Sequence, residues 1–236
     1  LPITTFLYAL GYSRKEMLDI FYDFKAFNFI KEKKLWETKF DPNDYKRPIK
    51  LRDDLINFNG EKKVLKKGSK INLVIAKKIY NEGLKNIIVP SDYFLGKYIK
   101  DKLVIPSTQE EFLKSGSPIQ QENLDKIMEL NINSLTIADV DPINKGPYLI
   151  DTLNIDKNNS KEDAINDIYR VLRPGEPPTF NIAKEIFNNL FFTSERYDLS
   201  DVGRVKLNSK LNLQCNDNIT ILRNDDIVAI IRHMLD

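Results

Sequence analysis

The chain has 236 residues, enough for one large domain or two modest ones, and its 42% hydrophobic and 30% charged content is that of a globular protein. A net charge of +2 is too small to name a partner, but it is unevenly spread: residues 23–103 carry 20 Lys/Arg against 11 Asp/Glu, and the remainder 16 against 23. The single cysteine, Cys215, excludes an internal disulfide and fits a reducing compartment, and no apolar run nears the roughly 18 residues of a membrane span.

The opening LPITTF has neither an initiator methionine nor a basic-then-apolar signal segment, and DDIVAIIRHMLD stops inside a helical pattern. A segment of a longer polypeptide is the expectation. Ser13 and Glu16 form a capping box that predicts a short helix over 14–23, with Met17, Leu18, Phe21 and Tyr22 at helical spacing. From about 25 to 105 the pattern changes to short runs of β-branched and aromatic residues, KKLWETKF, KKVLKKGSKI, KNIIVP and DKLVIP, between turn signals. This predicts a β-rich module with Phe27, Phe29 and Trp36 in its core, interrupted by a helix at 74–83. A helix over 119–130 and a strand in NSLTIADV follow.

Helical grammar then returns. Ser160 with Asp163 opens a helix carrying Ala164, Ile168, Val171 and Leu172. Ile182, Ala183, Ile186, Phe187 and Leu190 outline a second, and Asn224 caps a third with Asp225 and Asp226 in its first turn. Between the first two stands RPGEPPT, residues 173–179, a non-helical elbow stiffened by three prolines. The expected class is α+β: a discontinuous, mostly helical domain at 1–22 and 146–236, with a β-rich module inserted at 23–145.

Catalytic sets are scarce. His233 and Cys215 are single, which excludes the usual zinc sets and leaves any nucleophile–base pair dependent on a terminal helix. No phosphate loop occurs. Asp139 and Asp141 in IADVDPIN mimic a magnesium pair, but Asp-x-Asp before proline is also a common turn, and the turn is the favoured reading. No catalytic residue, cofactor or metal ligand is therefore assigned to the chain on its own.

Cationic residues on stiff segments remain. Arg173 precedes a proline, which pushes it out of the helical region, and Arg196, Arg204 and Lys206 fall in SERYDLSDVGRVKLN, read as a second irregular segment around Gly203. Two readings stay open. The guanidinium groups track a phosphate backbone, or Arg173 and Arg196 pair with Glu176, Asp198 or Asp201 and staple the loops. The lysines of 23–103 are spread over hairpins, which favours a solvated surface over a nucleic-acid groove.

LPITTFLYALGYS, GPYLIDTLNID, IYRVLRPGEPPT, NNLFFTSERYDLSDVGRVKLN and DDIVAIIRHMLD resemble, in that order, successive stretches of the β subunit of bacterial multisubunit RNA polymerase. The resemblance is strong over 1–22 and 146–236. Through 23–145 it is weaker, resting on element order and pieces such as VPSDYFLGKYI. It implies that the two ends form the β lobe (β2 domain), one wall of the downstream DNA cleft. The middle would be a lineage-specific insertion related to the sandwich-barrel hybrid motif.

The resemblance also implies DNA-templated nucleotidyl transfer by the whole enzyme, with magnesium held by an Asp-rich motif on the β′ subunit. No such motif occurs here. Implied partners are DNA, the β′, α and ω subunits and sigma, with protein factors at the insertion as the alternative function, in the cytoplasm and without a membrane. The isolated chain is expected to be a monomer. A DNA-facing role is implied for Arg173, and by extension for Arg196, Arg204 and Lys206. Nothing residue-specific carries over to the insertion.

Overall fold

The computed structural model describes residues 1–59, 62–140 and 146–235. They divide into two compact units, Leu1–Phe21 with Tyr148–Asp236, and Tyr22–Pro147. Helix and sheet are both present, as the α+β expectation requires. Asp141 lies outside the described residues.

The chain opens with α1 (Ile3–Leu10) and α2 (Arg14–Phe21). Gly11 ends α1 at φ 104°, a left-handed conformation that glycine reaches without a Cβ penalty; its N–H and that of Tyr12 bond back to Tyr8 and Leu7 carbonyls at 2.9 and 3.1 Å. The capping box read from the sequence opens α2: Ser13 N–H donates to the Glu16 carboxylate at 2.7 Å, and Glu16 N–H to Ser13 Oγ at 3.3 Å. The helix stops at Phe21, two residues earlier than expected.

The second unit holds β1 (Phe24–Ile30), β2 (Leu35–Lys39), β3 (Ile49–Lys50), β4 (Leu55–Asn57), β5 (Lys63–Leu65), β6 (Lys70–Ile71), α3 (Leu73–Asn81), β7 (Asn86–Val89), β8 (Leu103–Val104), β9 (Glu111–Leu113), α4 (Gln121–Glu129) and β10 (Ser134–Ala138). Six strands form one sheet in the order β10-β1-β2-β7-β4-β5, and β3-β6 and β8-β9 form two-stranded ribbons, every pairing antiparallel. Strand β10, the last among the described residues of the unit, closes against β1, with Phe24 opposite Ala138 and Asn28 opposite Ser134. Asp139 N–H donates to the Asp23 carbonyl at 2.8 Å, and Tyr22 Oη to the Gly146 carbonyl at 3.2 Å. Entry and exit of this unit are thereby pinned side by side.

Two apolar clusters hold the unit. Phe27, Trp36, Phe94, Ile119, Ile127 and Leu135 belong to one, with Phe29 packed partly buried against it; Phe40, Leu55, Ile71, Ala76 and Ile79 belong to the other. Trp36 is fully buried, 4.9 Å from the Phe29 ring and 5.1 Å edge-on to Phe94, and its indole N–H donates to Ser91 Oγ at 3.1 Å. A buried indole needs such an acceptor.

The first unit resumes with α5 (Tyr148–Ile155), α6 (Lys161–Leu172), α7 (Phe180–Phe191), α8 (Asp201–Leu211) and α9 (Asn224–Leu235). Helix α1 packs on α5 and α6, and α6 on α7. Its core takes Leu7, Tyr8, Leu18, Ile150, Ile165 and Phe187. A polar knot sits inside this packing: Thr4 and Thr5 hydroxyls donate to Asp156 Oδ2, and Asn158 Nδ2 donates to Asp156 and Asp167 carboxylates, each at 3.1 Å. Thr4 and Thr5 are fully buried, so these bonds satisfy groups that water cannot reach. Arg232 Nη2 donates to the Ile20 carbonyl at 2.9 Å and ties α9 to α2.

Candidate nucleic-acid interface

The elbow is built from both sides. Ser160 caps α6 by accepting the Asp163 N–H at 3.2 Å, and Ala164, Ile165, Ile168 and Tyr169 turn inward. That leaves Val171, Leu172 and Arg173 on the surface at the end of the helix. Pro174 forbids helical backbone at Arg173, which leaves the helix at φ −130°, ψ 70°. Gly175 turns the chain at φ 89°. Helix α7 begins at Phe180 directly after the last turn of the elbow.

Glu176 anchors this loop. Its carboxylate accepts the Tyr169 hydroxyl at 2.9 Å and lies 3.6 Å from Arg173 Nη1. Hydrogen bonding to Glu176 holds the Tyr169 phenol above its ordinary pKa. The ion-pair reading is thus realised at Arg173. Both side chains of that pair are more than half exposed, so it contributes about 0–1 kcal/mol and leaves the guanidinium available at the surface.

Arg196 is also exposed, in the turn after α7. Arg173 and Arg196 lie on the segments before and after α7, a 12-residue helix about 18 Å long. Among the described residues Arg196 forms no ion pair with Asp198, whose carboxylate accepts Ser200 N–H at 2.8 Å and shapes the start of α8.

The expected irregular segment around Gly203 is instead α8. Ser200 caps it by accepting Gly203 N–H at 3.2 Å, and a Cβ on Gly203 would meet Leu199 Cγ at 3.0 Å. The glycine is there for close approach, not to break the helix. The signal that could have found α8 is the cap itself, Ser200 followed by Asp201 in the first turn. Lys206 lies exposed on this helix.

Arg204 departs most from the expected placement. It is fully buried, and its Nε donates to the Ile219 carbonyl at 2.6 Å and its Nη2 to the Ile221 carbonyl. Its Nη1 meets Asp226 Oδ1 at 2.9 Å. An arginine so enclosed reaches no ligand at the surface of this unit. Burial pushes the Asp226 carboxyl up, but hydrogen bonds from Arg204 and Arg223 outweigh that and hold it below its ordinary value. Among the described residues no group of three or more His, Cys, Asp or Glu is placed to hold a metal ion, and no helix is long and apolar enough to cross a membrane.

A family model described as RNA polymerase Rpb2, domain 2, matches residues 132–236. The chain is 40% identical over 233 residues to a protein of Rickettsia felis named DNA-directed RNA polymerase subunit beta, which covers 99% of the chain and 17% of that relative. A protein of the same name from Jannaschia sp. is 36% identical over 247 residues, covering all of the chain and 18% of the relative. Another, from Rickettsia rickettsii, is 40% identical over 233 residues, with 99% and 17% covered. The chain thus spans less than a fifth of the length of the curated relatives it matches.

Proposed function

Because the chain belongs to the family of bacterial DNA-directed RNA polymerase β subunits, we propose that it serves transcription as a non-catalytic wall of the downstream DNA cleft. In this reading residues 1–22 and 146–236 are the β lobe, and residues 23–145 are an inserted β-rich module of the sandwich-barrel hybrid kind. Arg173 faces DNA, with Arg196 and Lys206 as secondary contacts. Arg204 is left out, since its guanidinium is committed to Asp226 and two carbonyls.

One observation carries the reading: Arg173 is exposed on a turn that Pro174, Pro177 and Pro178 stiffen. A loop so constrained loses little conformational entropy on meeting a strand. Exchanging the Glu176 partner for a phosphate costs only the small worth of an exposed ion pair. In this reading bond formation belongs to other polypeptide of the enzyme, with magnesium held by β′. DNA, β′, α, ω and sigma are the partners, and the cytoplasm is the place.

The test is a polymerase reconstituted with Arg173→Ala. Open-complex lifetime falls severalfold, the slope of its logarithm against log salt drops by about one, and the elongation rate is unchanged. An unaltered lifetime at several salt concentrations overturns the reading. A second reading, in which the inserted unit docks protein factors, draws on its adjoining ends and its own cores. Replacing residues 25–145 by a short linker would then abolish a factor response and spare basal transcription.

A further inference from the structure

The second unit contains a cavity of about 270 Å³ beside the β1–β10 edge of its sheet. Among the described residues that line it are the cations Lys25, Arg52 and Lys97 and one carboxylate, Asp139. Phe27, Tyr93 and Tyr98 are also among the lining residues. That volume is at the small end for ligand sites. The composition is a cationic cluster against flat apolar surface.

The floor is preformed. Lys97 N–H donates to the Phe94 carbonyl at 3.0 Å, and its own carbonyl accepts Ile119 N–H at 2.8 Å. The Tyr98 carbonyl accepts Ala138 N–H at 2.8 Å, which fixes this segment to the end of β10. Lys25 stands in β1 and is paired with Asp44 at 2.8 Å. Lys97 has no such partner: among the described residues its Nζ meets only the Tyr93 ring face, 4.2 Å from the centroid. Arg52, also a lining residue, is exposed.

Three cations around a half-enclosed space repel one another, and taking a lysine from water there costs more than the nearby Asp53 and Asp139 charges restore. Desolvation holds the Lys97 ammonium below its ordinary pKa, with the charges of Arg52 and Lys25 adding to the effect and Asp53 and Asp139 opposing it. A bound anion would offset both costs. We propose that this cavity is a binding site for a small organic phosphate of mononucleotide size, its phosphate held by Lys97 and Arg52 and its flat part lying on the tyrosine side. Phosphate suits the pair because Arg52 can offer two parallel N–H donors and Lys97 a point charge.

The test is calorimetric titration of the 236-residue chain with adenosine monophosphate, inorganic phosphate and a short single-stranded oligonucleotide. One-to-one binding of the mononucleotide, tighter than that of inorganic phosphate, is expected. Arg52→Ala and Lys97→Met should each weaken it about tenfold, the loss of one charge-assisted bond, and Lys97→Arg should restore most of it. Arg52 is exposed, so its variant separates lost binding from lost folding. The assignment is overturned by no binding at about 10 mM ligand, by equal affinity for inorganic phosphate, or by affinity indifferent to Arg52→Ala. Tighter binding of the oligonucleotide through the same two residues overturns it too, in favour of a nucleic-acid contact.

Discussion

Arg204 Nη1 lies 2.9 Å from Asp226 Oδ1, and neither side chain is exposed to solvent. The pair joins α8 to the first turn of α9 and, through the Ile219 and Ile221 carbonyls, to the loop between them. Arg204→Ala would leave the Asp226 charge buried with only Arg223 beside it. Removing one member of a buried pair costs roughly 3–5 kcal/mol, whereas replacing both with apolar residues of similar volume is often close to neutral. Urea unfolding should therefore show a large loss for Arg204→Ala and a much smaller one for the Arg204→Met, Asp226→Leu double variant. Equal losses would mean that the ion pair is not what holds α8 in place.

The same carboxylate sets an acid limit. Asp226 titrates below its ordinary value of 3.8 when folded, because hydrogen bonds from Arg204 and Arg223 outweigh the opposing effect of burial. A depressed carboxyl contributes stability that is complete above the unfolded pKa and disappears as pH falls through the folded one. Its contribution is thus intact at neutral pH and fades below about pH 4. Stability curves of the parent and Asp226→Asn should differ by a constant amount above that pH and converge below it.

Glu176 offers a test of the elbow. Its hydrogen bond raises the Tyr169 pKa above 10.0, so that contribution is complete below about pH 10 and is lost as pH climbs through the folded value. Glu176→Gln should bring the Tyr169 titration, followed by ring-carbon NMR, back toward 10.0. It should also release Arg173 from its 3.6 Å partner. An unmoved Tyr169 would mean that the loop is held by its prolines alone.

What the sequence made legible is what local chemistry decides. The Ser13–Glu16 box, the Ser160 cap and the proline elbow lie where the residues put them, because each depends on neighbours within a few positions. Helix α1 was not legible: its first turn carries β-branched Thr4 and Thr5 and no acidic residue. What stabilises it is burial and an acceptor, Asp156, about 150 positions away. Helix α8 escaped for a related reason. The one residue it buries is an arginine, so it shows no apolar stripe, and the partner that makes that burial tolerable stands 22 positions on, at Asp226. Arg204 consequently read as a surface charge, as arginine outside a pairing context does. The phosphate cavity was equally hidden, since Lys25, Arg52 and Lys97 converge only once β1, the loop before β4 and the segment after Phe94 are folded together.

The second unit can be followed through its own reporter. Trp36 is the single tryptophan of the chain, fully buried against Phe29 and Phe94, with its N–H on Ser91 Oγ at 3.1 Å. Ser91→Ala removes the acceptor and leaves a buried donor without a partner, a loss of about 1–3 kcal/mol. Trp36→Phe removes donor and bulk together; it restores polar balance but opens a cavity where the larger ring had been. The first variant should lower the fluorescence-detected unfolding midpoint while leaving the native spectrum blue-shifted. Adding Ser91→Ala to Trp36→Phe, followed by circular dichroism, should then cost little more, because the serine no longer has a donor to serve. Additive losses in the double variant would show that Ser91 stabilises this unit by some contact other than the indole.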